Sequence, residues 1–373
     1  MLTPKEALIT LNLIPGIGSM RIQALLEFFG SAELVLNAPE NMLAMVPRIG
    51  AKLASIIADW KNCTNARAEI ECAAERGVRI ITLLDEEYPA QLRLMSDPPV
   101  VLYLRGDLRQ ADAERSVALV GTRQASPYGA TTARRFGREL ADAGCTIISG
   151  MARGIDTAAY WGALDAGGRT IGVLGFGMAG LYPEENEELA ERICDGHGAL
   201  VSEFPMFMRP SRTTFPQRNR VVAAWSRATV VVEAPQRSGS LHTASMAGAD
   251  YNNRVFAIPG PINQISFSGC HALIRDGATL CTSPAELLND MGWDNQPRQL
   301  DLFSIKAEQP DSDSALSPEA RELLLAIDAG HDTLDALCTA LGKGAHCITP
   351  LLMRLQIERR LIPLPGGRFA LPR

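Results

Sequence analysis

The apolar positions of this chain follow three rhythms. In residues 1–75 they recur at i, i+3 and i+4, the period of helices that bury one face. Two phrases there are alike: "LIPGIGSMRIQALLEFFG" (13–30) and "MVPRIGAKLASIIADW" (45–60), with Pro15 and Pro47 32 residues apart. Each reads as a tight hairpin feeding a helix. From 76 to 292 short, wholly apolar runs alternate with helical patterns. The runs are "VALVG" (117–121), "TIISG" (146–150), "TIGVL" (170–174), "ALVSE" (199–203), "TVVVE" (229–233) and "RVFAI" (254–258). Their spacing is roughly that of a β-α unit, about 30 residues. Strands without a polar face are covered on both faces, so the pattern predicts an α/β fold built on a doubly wound parallel sheet. "GVRIITL" (77–83) and "VVLYL" (100–104) are expected to add outer strands. A polar stretch, 293–315, rich in Pro, Gln, Asp and Ser, reads as a linker. Beyond it, in 316–373, helical runs at about 317–329, 332–341 and 345–359 precede "RLIPLPGGRFALP", a hairpin with its turn at Pro365-Gly366-Gly367. Three helices and a hairpin form a winged-helix arrangement.

Charge narrows the chemistry. The 373 residues carry a net charge of −6, so any site for an anion must be a local basic patch. No uncharged apolar run reaches the length of a membrane span, and the N-terminus does not read as a signal peptide. The eight cysteines are scattered and form no C-x-x-C, which points to a reducing cytoplasm. Cys338, His346 and Cys347 lack a fourth ligand at zinc spacing. Lysine occurs only at 5, 52, 61, 306 and 343, so the middle region offers neither a Walker lysine nor a Schiff-base lysine.

One motif invites a cofactor. "IGVLGFGMAGLYP" (171–183) contains G-x-G-x-x-G at Gly175, Gly177 and Gly180, and Glu203 lies where a ribose-binding acid would be. A dinucleotide fingerprint, however, needs its helix to start inside the motif. Here the helix is expected to start at Pro183, after eight loop residues beyond Leu174, and the glutamates of its first turns repel a pyrophosphate. We therefore expect no cofactor.

Stronger signals lie where predicted strands end or helices begin: "VGTRQASPYG" (120–129), "SGMARGID" (149–156), "FPQRNR" (215–220) and "EAPQRSGSLHTA" (233–244). In an open parallel sheet, ligands bind outside the strand C-termini. Residues 205–240 hold six arginines (209, 212, 218, 220, 227, 237) and one acid, Glu233, a local +5. Arginines beside small residues with open N–H groups make a phosphate cradle. Arg123, Arg153, Arg218, Arg220 and Arg237 are the expected phosphate neutralisers. Gly121, Ser149, Gly150, Asn219, Ser238, Gly239 and Ser240 are the expected small and polar companions, with Tyr128 and Phe215 as candidate stacking rings. The bland readings are turn glycines, an Asp156 buried against an arginine, and an Asn219 that only caps a helix. No G-x-S-x-G elbow or Ser-His-Asp order stands out, so the site reads as a binder of a polyanion. The two helix–hairpin phrases are a weaker candidate, since residues 1–60 carry a net −1 and Arg48 stands where the second phrase needs its first glycine.

The four stretches, with Pro259-Gly260 and "GATL" (277–280), resemble the DprA/Smf family of DNA-processing proteins over nearly the whole chain. The resemblance implies a helical SAM-like or helix-hairpin-helix-like domain (1–75), an extended Rossmann-like domain (76–292) and a winged-helix domain (316–373). It also implies sequence-independent single-stranded DNA binding, homodimerisation through the Rossmann-like domain and loading of the RecA recombinase in natural transformation, without catalysis. The family's DNA-contacting Gly-x-Arg arginine maps to Arg123. The chain departs from the family at Tyr160, where histidine is usual, at His271, where asparagine is usual, and at Glu184, where a basic residue often stands. Two rivals remain: a hydrolase of nucleoside monophosphates using Glu233 as acid/base, and a protein adaptor.

Overall fold

Each apolar run of the middle region becomes a strand. The computed structural model describes residues 2–293, 318–357, 360–364 and 368–371. The strands are β1 (Arg79–Thr82), β2 (Val101–Gly106), β3 (Ser116–Val120), β4 (Thr146–Ser149), β5 (Thr170–Leu174), β6 (Gly198–Ser202), β7 (Ala228–Val231), β8 (Arg254–Ala257) and β9 (Thr279–Leu280). They form one sheet in the order β1-β2-β6-β5-β4-β3-β7-β8-β9. From β6 to β9 every pairing is parallel. β1 and β2, expected as outer strands, lie at one edge of the sheet, where β2 pairs antiparallel with both β1 and β6. They are the two strands that arise before the β-α repeat begins. β9 has only two residues, too few to carry a periodicity in the sequence.

Side chains alternate between the faces of the sheet. Val117 and Leu119 enter one core with Phe136, Leu140, Ile155 and Ala163, and Ala118 and Val120 enter another with Val221, Trp225 and Phe267. Helices therefore cover both faces, as strands without a polar side require.

The N-terminal helices share a third core with one edge of this sheet. Leu8, Leu11, Ile22, Leu25, Val35 and Ile57 pack with Ile80, Val101, Tyr103 and Met206. The two hairpin phrases fold alike. Gly18 precedes helix Ser19–Phe29 and Gly50 precedes helix Ala51–Ala58. Gly16 (φ +82) and Arg48 (φ +68) both adopt the left-handed conformation, so Arg48 takes up the glycine's backbone role at some strain. Arg21 ties the hairpins together by donating to the carbonyls of Gly16 (2.7 Å) and Arg48 (3.3 Å).

A second compact unit is C-terminal. Its helices Pro318–Asp328, Leu334–Leu341 and Ala345–Ile357 bury Leu323, Leu337, Ile348, Leu352 and Leu355. Strands β10 (Ile362–Leu364) and β11 (Arg368–Ala370) pair antiparallel. Apart from Trp293, the expected linker 293–315 lies outside the described residues, as does the turn at 365–367.

Candidate functional site

β3 and β7 are neighbours, yet the chain leaves them in opposite directions. β4, β5 and β6 are laid down on one side of β3, and β8 and β9 on the far side of β7. The order β5-β4-β3-β7-β8-β9 is the 3-2-1-4-5-6 order of a doubly wound sheet, and the reversal opens a crevice beyond the ends of β3 and β7. A cavity of about 570 Å³ occupies this place. Gly121, Arg123 and Gln124 line it after β3, and Gly150 and Ala152 after β4. Arg212, Phe215, Arg218 and Asn219 come from helix Thr214–Trp225 and the turn before it, and Arg237, Ser238, Gly239 and Ser240 from the start of helix Gly239–Ala249. All four stretches singled out in the sequence meet here.

Close backbone packing builds the walls. A Cβ on Gly121 would meet Ile155 Cγ1 at 2.5 Å and the Glu233 carbonyl at 2.8 Å. Gly154 adopts φ +80, and a Cβ there would lie 2.4 Å from the Thr122 carbonyl. These two glycines let the loops after β3, β4 and β7 touch. Asp156 then gathers the loop after β4 by accepting from the amides of Gly150 (3.0 Å) and Ala152 (3.3 Å). Arg218 is only 4 % exposed and donates to the carbonyls of Gly150 and Val173, and its Nε donates to Asn219 Oδ1 at 3.1 Å. Burial pushes the Asp156 carboxyl up, and the Arg218 guanidinium opposes that rise. Burial likewise pushes Arg218 down, opposed by Asp156.

The rim is different. Arg123, Arg212 and Arg237 are exposed, and among the described residues none makes an ion pair. The Arg123 guanidinium lies 4.9 Å from the ring centre of Phe215. Ser238 caps helix Gly239–Ala249, and its Oγ sits 2.7 Å from that of Ser240. Next to the crevice, Arg123, Arg153, Tyr182, Pro183 and Phe215 line a second cavity of about 270 Å³. There Arg153 is bound by Glu185 at 2.7 Å, with both side chains more than half exposed.

The structure corrects several expected roles. Arg218 is a buried brace, with Nη1 donating to two carbonyls and Nε to Asn219. Arg220 leaves the crevice altogether: it pairs with Asp97 and Glu203 and donates to Ser19. Ser149 is fully buried, with its hydroxyl donating to the Leu119 carbonyl (2.6 Å). The Gly150 amide is taken by Asp156. Asn219 lies inside its helix, which starts at Thr214, and caps nothing. Tyr128 packs edge-on against Phe267, away from the crevice. Arg212, which the sequence reading counts in the basic segment without assigning it to the site, lies in the turn before helix Thr214–Trp225.

The glycine fingerprint has a structural purpose. A Cβ on Gly177 would lie 1.9 Å from the Pro205 carbonyl, and the amides of Gly177 and Ala179 donate to the carbonyls of Met208 and Met206. The loop thus lies against 205–208. The following helical segment opens with a 3₁₀ turn at Glu184–Asn186, one residue after the expected start, with Pro183 as its cap. Glu203 holds Arg220. Glu233 is buried, and its Oε2 accepts from the Ser126 amide and hydroxyl, both at 2.9 Å. That carboxylate shapes the start of helix Pro127–Asp142 and does not line the crevice. Tyr160, where the family usually has histidine, is buried with its hydroxyl on the Ile171 carbonyl (2.9 Å). His271 Nε2 lies 3.0 Å from the Gly260 carbonyl. No helix among the described residues is long and apolar enough to cross a membrane.

Comparison with known proteins gives the family. The sequence profile described as DNA recombination-mediator protein A matches residues 79–292. Protein Smf of Synechocystis is 30 % identical over 95 % of this chain and 96 % of its own length. Protein Smf of Escherichia coli is 36 % identical over 77 % of this chain and 76 % of its own. The crystal structure of DNA processing protein A (DprA) from Streptococcus pneumoniae superposes with a TM-score of 0.66 at 31 % identity, covering 78 % of this chain and 98 % of that one. A Helicobacter pylori DNA processing protein A, described for its single-stranded DNA binding mode, superposes with a TM-score of 0.52 at 30 % identity, over 58 % of this chain and 97 % of that one. The chain belongs to the DNA recombination-mediator protein A family, the DprA/Smf proteins.

Proposed function

We propose that the switch-point crevice binds single-stranded DNA without sequence preference and that the chain acts in DNA processing during transformation. One observation carries the reading: Arg123 and Arg212, which make no ion pair among the described residues, line the crevice together with an aromatic ring, Phe215, over which the Arg123 guanidinium sits. A guanidinium neutralises a phosphate by charge-assisted hydrogen bonds, and a ring beside it gives the adjacent base a stacking face. A base reaches that ring only when it is unstacked, which favours a single strand over a duplex. Arg237, Ser238 and Ser240 at a helix start continue the phosphate track.

Gly121, Gly150, Asp156, Arg218 and Asn219 hold the walls in place. Arg153 joins the DNA by exchanging Glu185 for a phosphate, because a surface pair is readily traded. Catalysis is not part of the reading, and the nucleoside monophosphate hydrolase loses its support, since Glu233 turns away from the crevice. In the cytoplasm the chain would act as a homodimer through its Rossmann-like part and load the RecA recombinase onto incoming strands. The three C-terminal helices and strand pair would serve as a winged-helix accessory. One preparation, titrated with oligothymidylates of increasing length, with duplex and with AMP, tests the proposal. Oligomer binding without AMP binding supports it, and AMP binding without oligomer binding rejects it.

A further inference from the structure

A larger cavity, about 1300 Å³, lies on the other side of the segment that forms the crevice wall. Arg212, Phe215, Arg218 and Asn219 face the crevice, whereas Ser211, Thr213, Gln217 and Arg220 face this groove. The opposite wall is the first hairpin, Pro15 to Gly18, with Arg21 and Arg48. The two cavities thus share a ridge only a few residues wide, at 211–213.

The charges in the groove are unequal in availability. Its acids are engaged internally. Glu69 accepts from the Tyr103 hydroxyl (2.8 Å) and the Met206 amide (2.7 Å), and Asp97 and Glu203 are held by Arg220. Its other arginines form no ion pair among the described residues. Arg48 and Arg209 are exposed and make no ion pair among the described residues. Arg21 is positioned by two carbonyls, which orient its charge without neutralising it. An aromatic ring stands among them: Phe207 is 66 % exposed, with Arg76 5.7 Å from its ring centre. The backbone at Gly18 is open, with no atom within 4 Å of where a Cβ would stand. Unneutralised arginines around an exposed ring, with open backbone beside them, repeat the chemistry of the crevice.

We propose that this groove is a second DNA subsite, in which the strand leaving the crevice over Arg212 runs past Arg209 and Phe207 to Arg48 and Arg21 on the hairpins. The ligand is the sugar–phosphate backbone of single-stranded DNA, with one base against Phe207. The inference rests on the single-strand reading of the crevice and extends the site from the Rossmann-like part to the N-terminal helices.

Strand length separates the two subsites. Full-length protein is titrated by fluorescence anisotropy with oligothymidylates of about 6 and about 16 nucleotides, near the two ends of the range of site sizes for single-strand binders. The double variant Arg48→Glu/Arg209→Glu and the single variant Phe207→Ala carry the test. Both alter exposed side chains, and melting temperature checks that they fold. The double variant should weaken the longer oligomer about tenfold, lower its salt slope by about 1.4 and leave the shorter one unchanged. Phe207→Ala should weaken only the longer oligomer, at any salt concentration. Arg123→Ala, in the crevice, should weaken both lengths. Equal affinity of wild type and double variant for the longer oligomer overturns the second subsite while leaving the crevice standing. Equal loss on both lengths also overturns it, since the arginines would then act on the crevice from a distance. Failure of the wild type to bind either length overturns both readings.

Discussion

Replacing Arg123 by alanine should damage binding and spare the fold. Its side chain is exposed on the crevice rim, and among the described residues it makes no ion pair. Among the described residues its side chain contacts the Phe215 ring, 4.9 Å away. An exposed cation–π contact is worth about 0.5–1 kcal/mol, so the melting temperature should fall by no more than about 4 °C. A charge-assisted hydrogen bond to phosphate is worth about 1.5–3 kcal/mol, so Kd for an oligothymidylate should rise about 10- to 150-fold. The arginine also leaves the phosphate count, and the slope of log K against log salt should flatten by about 0.7. Anisotropy titrations at several salt concentrations and a thermal melt on the same preparation give all three numbers. A drop in melting temperature of ten degrees or so, with affinity per folded molecule unchanged, would refute the reasoning, because Arg123 would then be a structural residue.

Other substitutions should separate the rim from the frame. Arg218→Ala leaves Asp156 buried without its cation and frees the Gly150 and Val173 carbonyls, so it should cost about 3–5 kcal/mol in denaturant titration. Glu185→Gln releases Arg153 and should tighten oligomer binding a few-fold at low salt, with the gain vanishing at high salt. Burial pushes the Glu203 carboxyl up to about 7, well above its ordinary 4.5, against the pull of Arg220. A raised carboxyl favours the protonated native state, so its contribution is full below about pH 4.5 and is lost as pH rises through about 7. The loss is about 3 kcal/mol at most. Wild type minus Glu203→Gln, followed by chemical denaturation from pH 5 to 8 (roughly the window spanned by the two values), should show this decline, and a flat difference would count against it.

The sequence located the site better than it assigned the side chains. Apolar runs such as "TIGVL" mark strands buried on both faces, and the ends of such strands mark the crevice, so the four stretches could be placed on one rim without coordinates. The direction of a side chain within a helix depends on its register against neighbours, which a single run of residues does not show. Arg218 and Arg220 stand two apart in "FPQRNR", so they point to opposite sides of the helix. One goes under the crevice floor and the other to Glu203 near the N-terminal hairpins. Ser149 looked like a loop donor because it adjoins Gly150, but it is the last residue of β4 and points into the sheet. The glycine fingerprint misled for a related reason. Glycine marks close backbone approach of any kind, and at Gly177 the approaching backbone is that of 205–208.

In the proposed function an acidic chain holds single-stranded DNA in a basic crevice at the switch point of its sheet. The most direct test is the salt dependence of oligothymidylate affinity for the wild-type protein. With Arg123, Arg212, Arg237 and an exchangeable Arg153 neutralising about three to four phosphates of an oligomer of about 6 nucleotides, log K should fall with log salt at a slope of about −2 to −3. A flat salt response, or no saturable binding of the oligomer at low salt, would contradict it.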